Sequence, residues 1–369
     1  MKFGMFYEWP NPTLSNWKRL FEEGVEQIQY AEEMGYDFAL VAEHHFSNYG
    51  MSPAPLLQAL HIAQRTRRLR IATAALVLPI WQPLRLAEEV AVLDNLTDGR
   101  LICGVGRGYQ SHEFGRFGVT GEESRGRFNE CLEVVIRAWT SDQSFTYHGE
   151  QIEIGEPVVV WPKPLQKPHP PLWVVGSSAD SARLAAERDV PLITSGFVGP
   201  AGIRSTAATW VQARRAAGKS IEGLEMGIQA TTCVAETDAE ARGNLKYARW
   251  QNRANRSLRR RAVTDGAVEG GPYEGELSEG EFFDSLYYGG PETVIAKLRR
   301  IAEVGGTIVS TWMMVGGMEH EKIMKSIRLM GEEVIPALRE VRPPRDLPEE
   351  LAASPSPGAE LSAAEGQPT

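Results

Sequence analysis

Short apolar runs alternate with helix-patterned segments along almost the whole chain, and that alternation limits the fold more than any other feature. Residues 3–7 read as a first strand, after which Trp17, Leu20, Phe21, Val25 and Ile28 recur at helical spacing and Gly35 supplies a stop. Strands are predicted at residues 37–42, 69–78 and 101–105, with helices at 55–66, 85–95 and 122–140. A hairpin-like excursion at 145–154 and a proline-rich connector at 162–171 interrupt the alternation. It resumes with strands at 172–175, 192–195, 225–234 and 308–314. Eight strands alternating with helices predict one α/β domain over residues 1–342, a (β/α)8 TIM barrel rather than a doubly wound sheet. The chain has 369 residues, and the insertions account for its excess over the roughly 250 typical of the fold. Glycines and charges with little periodicity at 259–280 predict a mobile lid over about 259–285, and the Pro/Ala/Ser/Glu-rich residues 343–369 read as a disordered tail.

Several classes fall away on composition. No apolar run reaches membrane-spanning length. The N-terminus enters a strand directly, without the form of a signal peptide, so a cytoplasmic protein is expected. A formal charge of −9 argues against a nucleic-acid binder, which needs a basic face. Cys103, Cys131 and Cys233 have no ligand-like spacing and read as buried reduced thiols.

In a barrel of this type, chemistry is placed where strands leave the sheet at the C-terminal end. The second strand runs into Glu43-His44-His45-Phe46. Successive strand side chains point to opposite faces, so His44 and His45 cannot both face the barrel mouth, and periodicity does not choose between them. Catalysis and structural support are both open for this pair. Neither Glu43-His44-His45 nor His112-Glu113 extends into HExxH, so no metal is expected, and the GxSxG elbow of a serine hydrolase is absent. After the fourth strand, Gly104-Val105-Gly106-Arg107-Gly108-Tyr109 is GxGxG, not GxGxxG, and lacks a P-loop lysine. It reads as a tight turn presenting Arg107, whose guanidinium suits a phosphate. Arg125 opens the next helix. Gly176-Ser177-Ser178-Ala179-Asp180-Ser181 follows the fifth strand, where a helix N-terminus offers free amides to an anion. Plain N-capping by the serines is compatible with that role. Gly316-Gly317 is a rival phosphate loop without an adjoining basic residue.

Taken together, Met1–Gly4, Glu43–Phe46, Ala72–Ala75, Gly104–Gly108 and Val174–Ser178 resemble the bacterial luciferase-like, flavin-dependent monooxygenases, over about residues 1–338. The resemblance implies a barrel that binds reduced FMN at the C-terminal strand ends. Arg107, Arg125, Ser178 and Ser181 would hold the flavin phosphate, and Glu43 with Ala74 and Ala75 would lie by the ring, where the family often has a non-proline cis peptide. Gly106, Tyr109, Gly176 and Ser177 belong to the same cofactor-binding loops. His44 matches the family's catalytic histidine, a group able to exchange protons near neutrality, with His45 as support. A separate NAD(P)H-dependent reductase would supply FMNH2. With O2 as co-substrate, a C4a-hydroperoxide would oxygenate a small organic molecule.

Departures bear on the activity. Gly106 stands where the luciferase catalytic subunit has a reactive cysteine, Ser177 where it has an acid, and Gly196 where it has a tryptophan. These changes favour a monooxygenase over a light emitter. A deazaflavin-dependent oxidoreductase, an alkanal-oxidising luciferase and a non-catalytic flavin-binding partner subunit are the alternatives. Phe6, Trp9, Trp81, Phe114 and Trp312 near strand ends point to an apolar substrate, or equally to core. The family usually dimerises through helices near the second and third strands, so a homodimer or a heterodimer with a related subunit is expected.

Overall fold

The computed structural model describes residues 1–195, 199–220, 225–260, 263–268 and 270–343. β1 (Lys2–Tyr7), α1 (Trp17–Glu33), β2 (Phe38–Val41), α2 (Pro55–Arg65), β3 (Arg70–Thr73) and α3 (Pro83–Leu96) open the chain. β4 (Leu101–Gly106) follows, then two helices, α4 (Ser111–Arg116) and α5 (Glu123–Thr140). An antiparallel hairpin pairs Phe145–His148 with Glu153–Val158 outside the barrel, where the sequence placed an excursion. The repeat resumes with β5 (Leu172–Val175), α6 (Ala179–Arg188), β6 (Leu192–Ser195) and α7 (Gly199–Ala216). β7 (Met226–Val234) is followed by α8 (Asp238–Gly243), α9 (Leu245–Arg259), α10 (Glu279–Ser285) and α11 (Pro291–Glu303). β8 (Gly306–Trp312) and α12 (His320–Leu329) complete it.

All eight strands run parallel, each paired to its neighbour in sequence, and β8 returns to β1 with Lys2 opposite Ile308 and Met5 opposite Thr311. The sheet is therefore closed, as a (β/α)8 barrel requires. A strand covered on both faces must be apolar throughout, and all four residues of β2 are buried.

Three elements differ from the sequence expectation. The strand expected at 69–78 breaks after Thr73: Ala74–Ala75 is a cis peptide, and Leu76–Val77 forms a separate short strand beside Val105 and Gly106. The Val77 amide is taken by the Glu43 carboxylate at 2.7 Å instead of by a sheet ladder. The loop before α5 contains α4, six residues too short to show periodicity. The stretch 259–280 also holds a short hairpin that its lack of periodicity did not reveal. An antiparallel pair, Val263–Thr264 with Ala267–Val268, turns on Asp265-Gly266, both with positive φ (50° and 79°). This pair rests on the loop after β2, where the Asn48 N–H donates to the Gly266 carbonyl at 2.9 Å and the Val268 N–H to Asn48 Oδ1 at 2.9 Å. Of the expected tail, residues 344–369 lie outside the described residues, as does Gly196.

The three cysteines are buried and free, as expected. No described helix is long and apolar enough to cross a membrane.

Candidate active site

β2 ends at Val41, so Glu43, His44 and His45 sit in the loop beyond it and not in a strand. Strand alternation therefore does not apply, yet the two imidazoles still diverge. His44 lies between two carboxylates, Glu113, weighed from sequence only as part of a metal motif, and Glu8, not singled out there. Its Nδ1 is 3.1 Å from Glu113 Oε1, and its Nε2 is 3.4 Å from Glu8 Oε2. Glu8 follows β1, whereas Glu113 comes from α4. All three are buried, at 7% exposure for His44 and 2% for each acid. Glu113 Oε1 also accepts the His45 backbone N–H at 2.9 Å. His45 turns the other way, with Nε2 3.1 Å from Glu43 Oε1 and its ring edge-to-face with Phe117 at 4.8 Å. Both Glu43 oxygens accept from Trp81 Nε1 at 3.0 Å, so Glu43 ties His45 to the segment after the Ala74–Ala75 cis bond.

Burial by itself would pull His44 down, but the Glu113 charge and hydrogen bonds to Glu113 and Glu8 outweigh it and set the imidazole well above its usual value. Burial would raise Glu113, and the His44 charge with hydrogen bonds from His44 and the His45 N–H brings it below the ordinary carboxylate value. Burial pushes Glu8 up, opposed by its hydrogen bond to His44. The two carboxylates thus favour the charged form of the imidazole.

A second group lies at the ends of β4 and β5. Arg107 is exposed, and its Nη1 donates to Ser124 Oγ at 3.2 Å, placing it beside the start of α5. The neighbouring Arg125 reaches Asp180 Oδ2 at 2.5 Å, in the first turn of α6. Ser178 caps α6 by accepting the Ser181 N–H at 3.2 Å, and the two hydroxyls are 2.9 Å apart. Ser178, Ser181 and, through Asp180, Arg125 thereby meet at the N-terminus of α6, while Arg107 lies beside the start of α5. Asp180, which the sequence reading passed over, is a competitor: it also holds Arg183 at 2.7 Å, and an anion would have to draw Arg125 away from it. Ser177 is committed elsewhere, with its Oγ 2.9 Å from Thr194 Oγ1 and accepting the Ser195 N–H at 3.0 Å.

Two glycines here sit close to their neighbours. A Cβ on Gly176 would meet Ser181 Oγ at 2.4 Å, and one on Gly106 would lie 3.0 Å from both Ala75 Cβ and the Val175 carbonyl. Tyr109 is half exposed, with its hydroxyl accepting from Asn255 Nδ2 at 3.1 Å and its ring 6.2 Å from that of His44. Of the aromatic side chains considered as substrate lining, Phe6, Trp9, Phe114 and Trp312 are buried, and Trp9 packs on Phe21 of α1. Trp9 is core; Trp81 is the partly exposed member, fixed by Glu43. Gly316-Gly317 sits against Tyr247 and Pro12. No cluster among the described residues could hold a metal ion.

Comparison with known proteins bears on this arrangement. The family model for luciferase-like monooxygenase matches residues 1–307. The chain belongs to this family. Among its relatives, the oxygenase component of the flavin-dependent trigonelline monooxygenase of Acinetobacter baylyi is 26% identical over 88% of this chain and 91% of its own length. The oxygenating constituent of the 3,6-diketocamphane monooxygenase of Pseudomonas putida, a type II Baeyer-Villiger monooxygenase solved with FMN, superposes with a TM-score of 0.78. It is 20% identical, covering 93% of this chain and 99% of that one. An F420-dependent secondary alcohol dehydrogenase has the same barrel at a TM-score of 0.72 and 20% identity, over 92% and 99% of the two chains. Such likenesses show the fold alone. As a luciferase-like monooxygenase, the chain is an oxidoreductase.

Proposed function

We propose that this protein is the oxygenase component of a two-component monooxygenase, using reduced FMN supplied by a separate NAD(P)H-dependent reductase to put one oxygen atom from O2 into a small, apolar organic substrate. The observation that carries this reading is Arg125, Ser178 and Ser181 at the N-terminus of α6, with Arg107 beside the start of α5, at the same barrel end as the buried His44. Two exposed guanidinium groups and a serine-capped helix start fit a phosphate dianion, because the helix end offers unpaired amides and partial positive charge. FMN carries one such phosphate, and the relative from Acinetobacter baylyi is an oxygenase component that depends on a flavin. A deazaflavin reading is supported by likeness of fold alone, as with the F420-dependent dehydrogenase.

In this reading Arg107 and Arg125 hold the phosphate. Gly106 and the Ala74–Ala75 segment leave space beside the ring, and Glu43 fixes that segment through Val77 and Trp81. Reduced FMN, when bound, supplies the electrons that activate O2. His44 holds a proton at Nε2 and presents positive charge inside a buried site, where a charge acts strongly. The described residues 263–268 and 270–285 would serve as the lid that limits water access.

The experiment is an oxygenation assay with a flavin reductase, NADH and a panel of aldehydes, ketones and terpenes, scored by mass spectrometry for products that gain one oxygen atom. No reductase-dependent product from any panel member would count against the reading. Arg107→Ala is expected to weaken FMN affinity by about 1.5–3 kcal/mol, the worth of a charged hydrogen bond, which is about tenfold to about 100-fold in Kd. Unchanged affinity would place the phosphate elsewhere.

A further inference from the structure

The family resemblance points to His44; it does not explain why that imidazole has a carboxylate on each side. Glu113 is the fixed partner: its Oε1 accepts both His44 Nδ1 at 3.1 Å and the His45 N–H at 2.9 Å. Glu8 is held differently. Its Oε1 accepts from Gln251 Nε2 of α9 at 2.6 Å, while its Oε2 stands 3.4 Å from His44 Nε2. Gln251 is itself oriented, since its Oε1 accepts the Gly316 N–H at 3.1 Å and its Nε2 also reaches the Tyr49 carbonyl at 3.2 Å. The Tyr49 ring packs on the imidazole edge-to-face at 5.1 Å.

We propose that Glu8 is a positioning residue that shares a proton with His44 at Nε2, that Glu113 fixes the opposite ring nitrogen, and that α9 sets Glu8 through Gln251. The step is a proton transfer alone. A proton moves between Glu8 Oε2 and His44 Nε2, so that neutral carboxyl and neutral imidazole interconvert with carboxylate and imidazolium. No electrons move and no other bond breaks. The shorter contact marks Nδ1 as the anchored nitrogen and leaves Nε2 as the one that exchanges. The groups facing His44 are Glu8 from the β1 end, Glu113 and, further off, His112 from α4, Tyr49 from the β2 loop and Tyr109 from the β4 loop. Asn255 joins the two tyrosine hydroxyls at 3.0 and 3.1 Å, and the Arg259 guanidinium lies 5.7 Å from the Tyr109 ring centre. The carboxylates dominate, in keeping with a raised His44.

The proposal rests on the reading of His44 as the proton-handling group, and the test separates the two. His44 is followed by NMR of histidine-labelled protein over a pH titration, in the wild type, Glu8→Gln, Glu113→Gln and Gln251→Leu, with FMN affinity measured in parallel. A histidine raised in the folded protein keeps its charge below its folded pKa and loses it as pH rises through that value. Glu8→Gln is expected to lower the His44 midpoint by about one unit or more, with FMN affinity unchanged and the alkaline limb of the pH–rate profile moved down with it. Gln251→Leu should move the midpoint the same way by less, because a Glu8 that loses its amide partner holds its proton more tightly. If Glu8→Gln does not fold, Gln251→Leu decides alone. A His44 midpoint that stays at the wild-type value overturns the proposal. Failure of FMN to bind any of the four proteins would overturn the cofactor reading instead, and the midpoints would still decide the role of Glu8.

Discussion

Replacing His44 with alanine is expected to lower turnover by about 10²-fold or more while leaving FMN affinity near that of the wild type. The separation follows from geometry. His44 shares no hydrogen bond with Arg107, Arg125, Ser178 or Ser181, so the phosphate set is untouched by its removal. Its loss also leaves Glu8 and Glu113 buried without the cation between them. Removing one partner of a buried charge pair costs about 3–5 kcal/mol unless a carboxyl takes up a proton. The variant should therefore melt at lower temperature, and turnover must be compared below that transition. Full activity in folded His44→Ala protein would make the histidine structural. Acid should act differently from alkali on the wild type. Glu113 is depressed, so the stability it confers is present above its unfolded value and lost as pH falls through its folded one.

Gly104→Ala should have a comparably large effect, on folding rather than on rate. A Cβ at Gly104 would stand 1.9 Å from the Thr73 carbonyl oxygen and 3.0 Å from its carbon, both backbone atoms that no rotamer change can clear. The two residues are also locked to each other. Thr73 Oγ1 donates to the Gly104 carbonyl at 2.8 Å, and the Gly104 N–H donates to the same hydroxyl at 2.9 Å. Overpacking in a close-packed interior typically costs 1–3 kcal/mol, and a backbone collision with two coupled hydrogen bonds belongs at about 3 kcal/mol or above. Thr73 directly precedes Ala74–Ala75, so the strand displacement reaches the cofactor side of the barrel. Urea unfolding should show a much lower midpoint, or no folded protein at all. A midpoint equal to the wild type would mean that β3 and β4 do not approach this closely.

The barrel was legible because each strand is an apolar run and each helix an amphipathic one; β5 and β6 lie at the residues expected. The arginines and serines proposed to hold a phosphate could be picked out because such residues at strand ends stand out against an apolar background. What escaped was the partner structure of His44. Glu113 lies on a six-residue helix with no periodicity to reveal it, and Glu8 is an acid one residue beyond a strand, indistinguishable in sequence from a solvated side chain. Gln251 and Asn255 are polar positions on the buried face of α9. Their meaning depends on β1, α4 and α9 meeting over the β2 loop, a contact between residues far apart in sequence. The competitor at the phosphate set, Asp180, was hidden for the opposite reason: an acid in a first helical turn is ordinary dipole compensation.

The central claim is that this barrel end is a site for reduced FMN. Anaerobic fluorescence titration of the purified protein with FMNH2, reduced riboflavin and reduced F420 in parallel tests it most directly. FMNH2 should bind more tightly than reduced riboflavin, because only FMN offers a phosphate to Arg107 and Arg125, and that preference should shrink in Arg107→Ala. Tight binding of reduced F420 with none of FMNH2, or equal affinity for FMNH2 and reduced riboflavin, would contradict the account.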